Sequence, residues 1–157
     1  MSPFDLYQPS FFTEDEFQGW SMFLDVALLI KLDAFRGAWG HAVRISPAPG
    51  AVGRRDDSNS QHNIKKWGTV RAVDIMPDGI LTADDLQQAQ YTAIVVGFTG
   101  VGVYPHWQPA PGLHVDVRTS HAPGNPGLWG AIRPDREQPQ QMVSVDDALA
   151  AFTEVPA

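Results

Sequence analysis

Two histidines and an aspartate stand in apolar or strand-like surroundings: His62 in Ser60-Gln61-His62, Asp74 in Ala72-Val73-Asp74-Ile75, and His114 in Leu113-His114-Val115-Asp116. Zinc accepts imidazole nitrogen and carboxylate oxygen, and a catalytic zinc site takes three protein ligands and keeps the fourth tetrahedral position for water or substrate. His62, Asp74 and His114 are therefore a candidate ligand set. Residue type and spacing leave a plainer reading open, in which His62 and Asp74 are polar loop and strand-end residues and His114 is a hydrogen-bonded core histidine.

The segment around His114 adds a second layer of chemistry. Successive side chains of a strand point to opposite faces, so His114, Asp116 and Arg118 share one face and Leu113, Val115 and Val117 the other. Asp116 beside a ligand histidine has two possible roles: accepting the remaining imidazole N–H, or acting as a general base on water. A solvated carboxylate paired with Arg118 is the alternative. His114-x-Asp116 also opens the two-histidine, one-carboxylate pattern of non-haem iron oxygenases. That pattern needs a distal histidine on another strand, and the only later one is His121, close behind Asp116. Of the other histidines, His41 follows Gly40 as a surface or helix-end residue, while His106 and His121 fall in loops that could line a channel.

These residues need a scaffold. Thr13-Glu14-Asp15-Glu16 reads as a capping box, and Phe17, Trp20, Leu24, Ala27, Leu28 and Leu32 continue it at helical spacing, which predicts a long helix ending near Gly40. Ala42 to Ser46 alternates as a strand, and the Pro-, Gly-, Asp- and Ser-rich stretch from Pro47 to Ser60 is a loop. Val70 to Ile75 reads as a strand, Thr82-Ala83-Asp84-Asp85 caps a helix running to Gly97, and Val101 to Tyr104 and Leu113 to Arg118 are strands. The expected class is α+β, a small antiparallel sheet with helices over one face. A single domain over 1–157 is expected, its core at about 13–118 and its remainder, 119–157, an extended segment closing on a short helix capped by Ser144-Val145-Asp146-Asp147.

Composition narrows the function classes. A chain of 157 residues with 43% hydrophobic content is long enough for one true core. No apolar run reaches roughly 18 residues, so no membrane span is expected. With no cysteine, disulfides and thiolate metal sites are excluded. The net charge of -7 and an isoelectric point near 5.0 weigh against nucleic acid and anionic membranes as partners. No basic segment followed by a hydrophobic one opens the chain, so synthesis in the cytoplasm without a signal peptide is expected.

The order of segments resembles the D-alanyl-D-alanine carboxypeptidase family of zinc peptidases, which shares its fold with the hedgehog signalling domain. The resemblance covers roughly Leu32 to Arg118 and rests on Leu32-Asp33-Ala34-Phe35-Arg36 ahead of Trp39-Gly40, then Val43-Arg44-Ile45-Ser46, Ser60-Gln61-His62-Asn63, Gly68 to Asp74, Gly102-Val103-Tyr104-Pro105 and Leu113-His114-Val115-Asp116-Val117-Arg118. It implies the hedgehog/DD-peptidase fold, zinc held by His62, Asp74 and His114, and hydrolysis of an amide in the peptidoglycan stem peptide, as carboxypeptidase or endopeptidase. It also implies an arginine holding the substrate carboxylate, for which Arg54 is the candidate; Ser60 could steady the ligand loop and Tyr104 could hydrogen-bond in the cleft. Two departures stand out. Extra residues, Asn63 to Gly68, separate the first two ligands, and the acid that relatives carry three residues before the last histidine is Pro111 here. No wall-binding module or repeat is visible. The alternative expectation is a non-catalytic metal-binding or structural domain of a phage or prophage particle, with phage structural proteins as partners and the virion as its route to the wall.

Overall fold

Six strands pair into one sheet, and the alternation of their residues decides which face carries chemistry. In the computed structural model, which describes residues 1–153, the strands are β1 (Val43–Ile45), β2 (Ala72–Pro77), β3 (Gly100–Tyr104), β4 (Gly112–Asp116), β5 (Gly127–Ile132) and β6 (Gln141–Val143), in the spatial order β1-β2-β4-β3-β5-β6. Between and around them lie α1 (Pro3–Leu6), α2 (Val26–Trp39), α3 (Ile64–Trp67), α4 (Ala83–Val95) and α5 (Val145–Ala150). The α+β class is as expected. The sheet is mixed rather than antiparallel, because β5 runs parallel to β3.

Register across the central strands separates two rows. Val73 and Ile75 of β2 face Val115 and Leu113 of β4, which in turn face Val101 and Val103 of β3. This apolar row belongs to a single buried cluster with Leu28, Leu29, Leu32 and Phe35 of α2 and Leu86, Ala89 and Ala93 of α4. The i, i+4, i+7 spacing on α2 and the i, i+3, i+7 spacing on α4 each make one apolar stripe, which the sheet covers. The opposite row reads Asp74, His114, Gly102 and Trp129 across β2, β4, β3 and β5.

Helix ends follow local chemistry. Asp25 caps α2 by accepting the Ala27 N–H at 2.8 Å, and Gly40 ends it in the left-handed region at φ 80°. The end near Gly40 is as the sequence predicts, but the start is not. Glu14–Phe17 form only a short 3-10 turn, since Gln18 (φ 55°) and Gly19 (φ 83°) both leave helical space, and a second turn at Ser21–Phe23 precedes Asp25. Thr82 caps α4 in a reciprocal box with Asp85, as predicted. Within residues 119–153 the chain differs from the extended segment expected over 119–157, since β5 and β6 extend the sheet beyond β3; the expected short helix is α5, capped by Ser144 and packed against β5, and 154–157 lie outside the described residues. Among the described residues no helix is long and apolar enough to cross a membrane.

The N-terminal segment is tied to α2 by a buried acid. Asp33 accepts the Tyr7 hydroxyl at 2.7 Å and the Ser10 and Phe11 N–H groups at 3.0 and 2.9 Å, holding Phe12 and Phe17 in the core. Removing this acceptor forfeits three hydrogen bonds to a carboxylate whose donors sit on half-buried or exposed residues that water can reach, a net loss of about 1 kcal/mol each. Asp33→Ala is therefore expected to lower stability by about 3 kcal/mol, seen as a reduced urea midpoint with an unchanged m-value; an unshifted midpoint would contradict this role.

Candidate metal centre

His62 reaches the sheet from a loop that is closed at both ends by backbone hydrogen bonds. The Arg54 N–H donates to the His62 carbonyl at 3.0 Å, and Ser60 Oγ accepts the His62 N–H at 3.2 Å. Asn63 locks the turn, donating from Nδ2 to the Asp56 and Ser58 carbonyls and capping α3 through the Lys65 N–H. The extra residues between the first two ligands thus form α3, which ends at Gly68 (φ 80°). The Arg71 N–H then donates to the Gln61 carbonyl at 3.0 Å, so the chain returns beside His62 before β2 delivers Asp74. The insertion is a folded detour, and the two ligands converge across it.

His62, Asp74 and His114 are all buried, and one ligand atom from each falls within a 4.8 Å group. Asp74 Oδ1 lies 3.2 Å from His62 Nε2 and 3.2 Å from His114 Nδ1. Bonds of about 2.0–2.1 Å to a tetrahedral zinc place neighbouring ligand atoms about 3.3 Å apart, so both separations match ligand-to-ligand edges. His62 Nδ1 lies 2.7 Å from the Val52 carbonyl, to which it donates, leaving the Nε2 lone pair facing Asp74 and His114. That Nε2 is buried and has no hydrogen-bond partner among the described residues, since its approach to Asp74 is close but misdirected. A buried acceptor without a donor is costly, and a cation satisfies it. The residues therefore fit a metal ion.

The far side of His114 is fixed by an ion-paired carboxylate. His114 Nε2 donates to Asp116 Oδ2 at 2.8 Å, and Asp116, fully buried, also accepts from the Arg118 backbone N–H (3.1 Å), Nε and Nη2. Burial opposes ionisation of Asp116, but the hydrogen bonds from Arg118 and His114 hold its pKa well below the usual carboxylate value. For Asp74 the same opposition from burial is overcome by His114 and His62, which bring it down to about 2. Burial works against the His114 imidazolium, yet its bonds to Asp116 and Asp74 raise its pKa to about 9.

Glycines make room for this network. A Cβ on Gly100 would sit 2.2 Å from Asp116 Oδ1 and 2.4 Å from Arg118 Nε, and one on Gly102 would sit 2.5 Å from the Trp129 ring. With hydrogen at both positions the Asp116–Arg118 pair and Trp129 lie flat across β3. The Arg118 guanidinium stacks 4.8 Å over Trp129, whose Nε1 donates to the Tyr104 hydroxyl at 3.0 Å.

The three ligands open onto a cleft of about 350 Å³ walled by Arg54, Ser60, Tyr104, Arg118 and Trp129. Arg54, Ser60 and Tyr104 thus share one cleft with the three ligands, with Arg54 Nε held by the Gly50 carbonyl at 2.9 Å. Burial is the main cause raising the Tyr104 pKa. Asp74 is the one carboxylate among the cleft's described lining residues; Asp116 stands behind His114, and Pro111 lines a separate pocket with His106 and Trp107. His41 is exposed, and His121 lines a further cleft. Trp129 was not legible in the sequence, because it reaches the site only through the parallel pairing of β5. No family model, curated protein or solved structure matches the chain.

Two outcomes follow from this geometry. Gly100→Ala pushes Asp116 off His114 and is expected to weaken zinc binding about 10–100-fold, the range for loss of a supporting hydrogen bond, in competition with a chromophoric chelator; unchanged affinity would contradict the role of the glycine. With its pKa at about 9, His114 is protonated at pH 7, so zinc uptake through Nδ1 must displace that proton and apparent affinity must rise with pH toward 9. Calorimetry in buffers of different ionisation enthalpy is expected to register about one proton released from this group; no release would contradict a protonated His114 in the metal-free protein.

Proposed function

We propose that this chain is a zinc-dependent peptidase of the hedgehog/DD-peptidase type that hydrolyses an amide bond in the peptidoglycan stem peptide. The observation that carries the reading is the convergence of two imidazoles on one carboxylate oxygen, each nitrogen 3.2 Å from it, on an open cleft. Zinc bound there would supply polarisation of a carbonyl and activation of water near neutral pH.

The chain's own residues set up that chemistry. The Val52 carbonyl fixes the His62 tautomer, and Asp116 fixes that of His114. Asp116 is sealed from the cleft with both oxygens occupied, which favours orientation of His114 over a general-base role. Arg54 on the cleft wall presents a guanidinium that can hold a substrate carboxylate in a bidentate contact, while Ser60 steadies the ligand loop and Tyr104 offers a hydroxyl at the wall.

A second reading draws support from the lining itself. Asp74 is the only described carboxylate facing the cleft, and Pro111 occupies the position of the acid that relatives use as base. A non-catalytic metal-binding or structural domain of a phage particle would need no such base. Digestion of purified peptidoglycan by the zinc-loaded protein separates the two. The peptidase reading expects one zinc per chain and new stem-peptide termini, both lost in His114→Ala, and Arg54→Lys is expected to keep zinc but lose about tenfold or more in kcat/KM. Stoichiometric zinc with intact peptidoglycan would support a non-catalytic metal-binding domain, and absence of zinc binding would contradict the peptidase reading and leave a structural domain.

A further inference from the structure

A second cleft, of about 620 Å³, opens at the end of the sheet where α2 begins, and its walls carry an excess of positive charge. Lys31 and Arg71 line it against a single acid, Asp25, while Arg118, also in the wall, is paired with Asp116. Asp25 Oδ1 is engaged by the Ala27 N–H. In a chain with 11 lysines and arginines against 18 aspartates and glutamates, this is a local reversal of sign.

Arg71 is the informative residue. It is only 8% exposed, yet among the described residues neither it nor Lys31 forms an ion pair. Its guanidinium stacks on Trp67 at 4.4 Å, and from its fork of donors only Nη2 reaches a side chain, the Thr119 hydroxyl, at 3.3 Å. Its other guanidinium nitrogens have no protein partner among the described residues and open onto the cleft, so they are free to donate to a ligand there. The planar fork held in place by Trp67 is the arrangement that receives an oxyanion through paired N–H donors. Lys31, whose ammonium end lies beside Gly97, adds a point charge to the same cleft.

We propose that this cleft is a binding site for a ligand's oxyanion group, carboxylate or phosphate, with Arg71 as the fork and Lys31 as its supporting charge. Arg118 lines both this cleft and the metal cleft, so the two clefts share a wall. Where the ligand is the stem peptide of the proposed reaction, which carries carboxylates, this is a second anchoring point for it; that clause alone rests on the peptidase reading.

The test uses zinc-free protein at constant ionic strength in chloride, so it holds or fails independently of hydrolysis. Sodium acetate and inorganic phosphate are titrated separately while the Arg71 Nε–H and Trp67 indole resonances are followed by NMR. A saturable shift with at least one of them is expected, weakened about tenfold or more in Arg71→Gln and in Lys31→Gln, as befits loss of a charge-assisted contact. Tighter binding of acetate assigns a carboxylate ligand, and tighter binding of phosphate a phosphorylated one. Lys31 is half-buried on the flank of α2, so its variant keeps the test open if Arg71→Gln does not fold. Absence of saturation with both anions, or undiminished affinity in Lys31→Gln, would overturn the proposal.

Discussion

The antiparallel pairing of β2 with β4 sets Asp74 directly opposite His114, and the rest of the centre depends on that register. Side chains on a strand alternate with a period of two, so a slip of one residue would turn Asp74 toward the helices and bring Val73 into the cleft. The apolar row prevents it: Val73, Ile75, Leu113 and Val115 are fully buried against α2 and α4, and exposing them would forfeit roughly 1.5–3 kcal/mol for each side chain. The hydrophobic face of the sheet thus fixes the geometry of its polar face.

On that polar face the buried charges alternate. Asp74, the His114 imidazolium, Asp116 and Arg118 form a chain of contacts whose two ends, Asp74 and Arg118, line the cleft, two anions against two cations. Such a row tolerates burial because each charge has a partner and directed hydrogen bonds. Exchanging the His114 proton for a divalent cation keeps Asp116 and Arg118 paired behind it. The rigidity comes from close approach: Gly100 and Gly102 have no room for a Cβ, so the carboxylate, the guanidinium and the Trp129 ring pack directly on the β3 backbone. A site supported in this way is prepared before its ligand arrives.

Much of this was legible because it is local. Gly40, Thr82 and Ser144 mark helix ends through positive φ and side-chain oxygens, and the alternation in β4 assigns His114 and Asp116 to one face. The His62 and Asp74 pairing was readable only through the order of segments, since the hydrogen bond from Arg71 to Gln61 that closes the α3 detour has no signature in residue type. The break at Gln18 and Gly19 was hidden by a capping box that nucleates only one 3-10 turn. The strand β5 was missed because its six residues, with glycine at both Gly127 and Gly130, sit between Pro-rich stretches and pair in parallel with a strand far back in the chain. Trp129 and the enclosure of the cleft went with it. The unpaired burial of Arg71 is likewise a product of three-dimensional packing against Trp67 and Thr119.

The central claim is that His62, Asp74 and His114 jointly hold one zinc ion. X-ray absorption at the zinc edge of protein loaded with one equivalent tests it most directly. The account requires a four-coordinate first shell of nitrogen and oxygen at about 2.0 Å with the multiple-scattering signature of two imidazoles, falling to one imidazole in His62→Ala. A six-coordinate, oxygen-only shell, or a spectrum unchanged by His62→Ala, would contradict it.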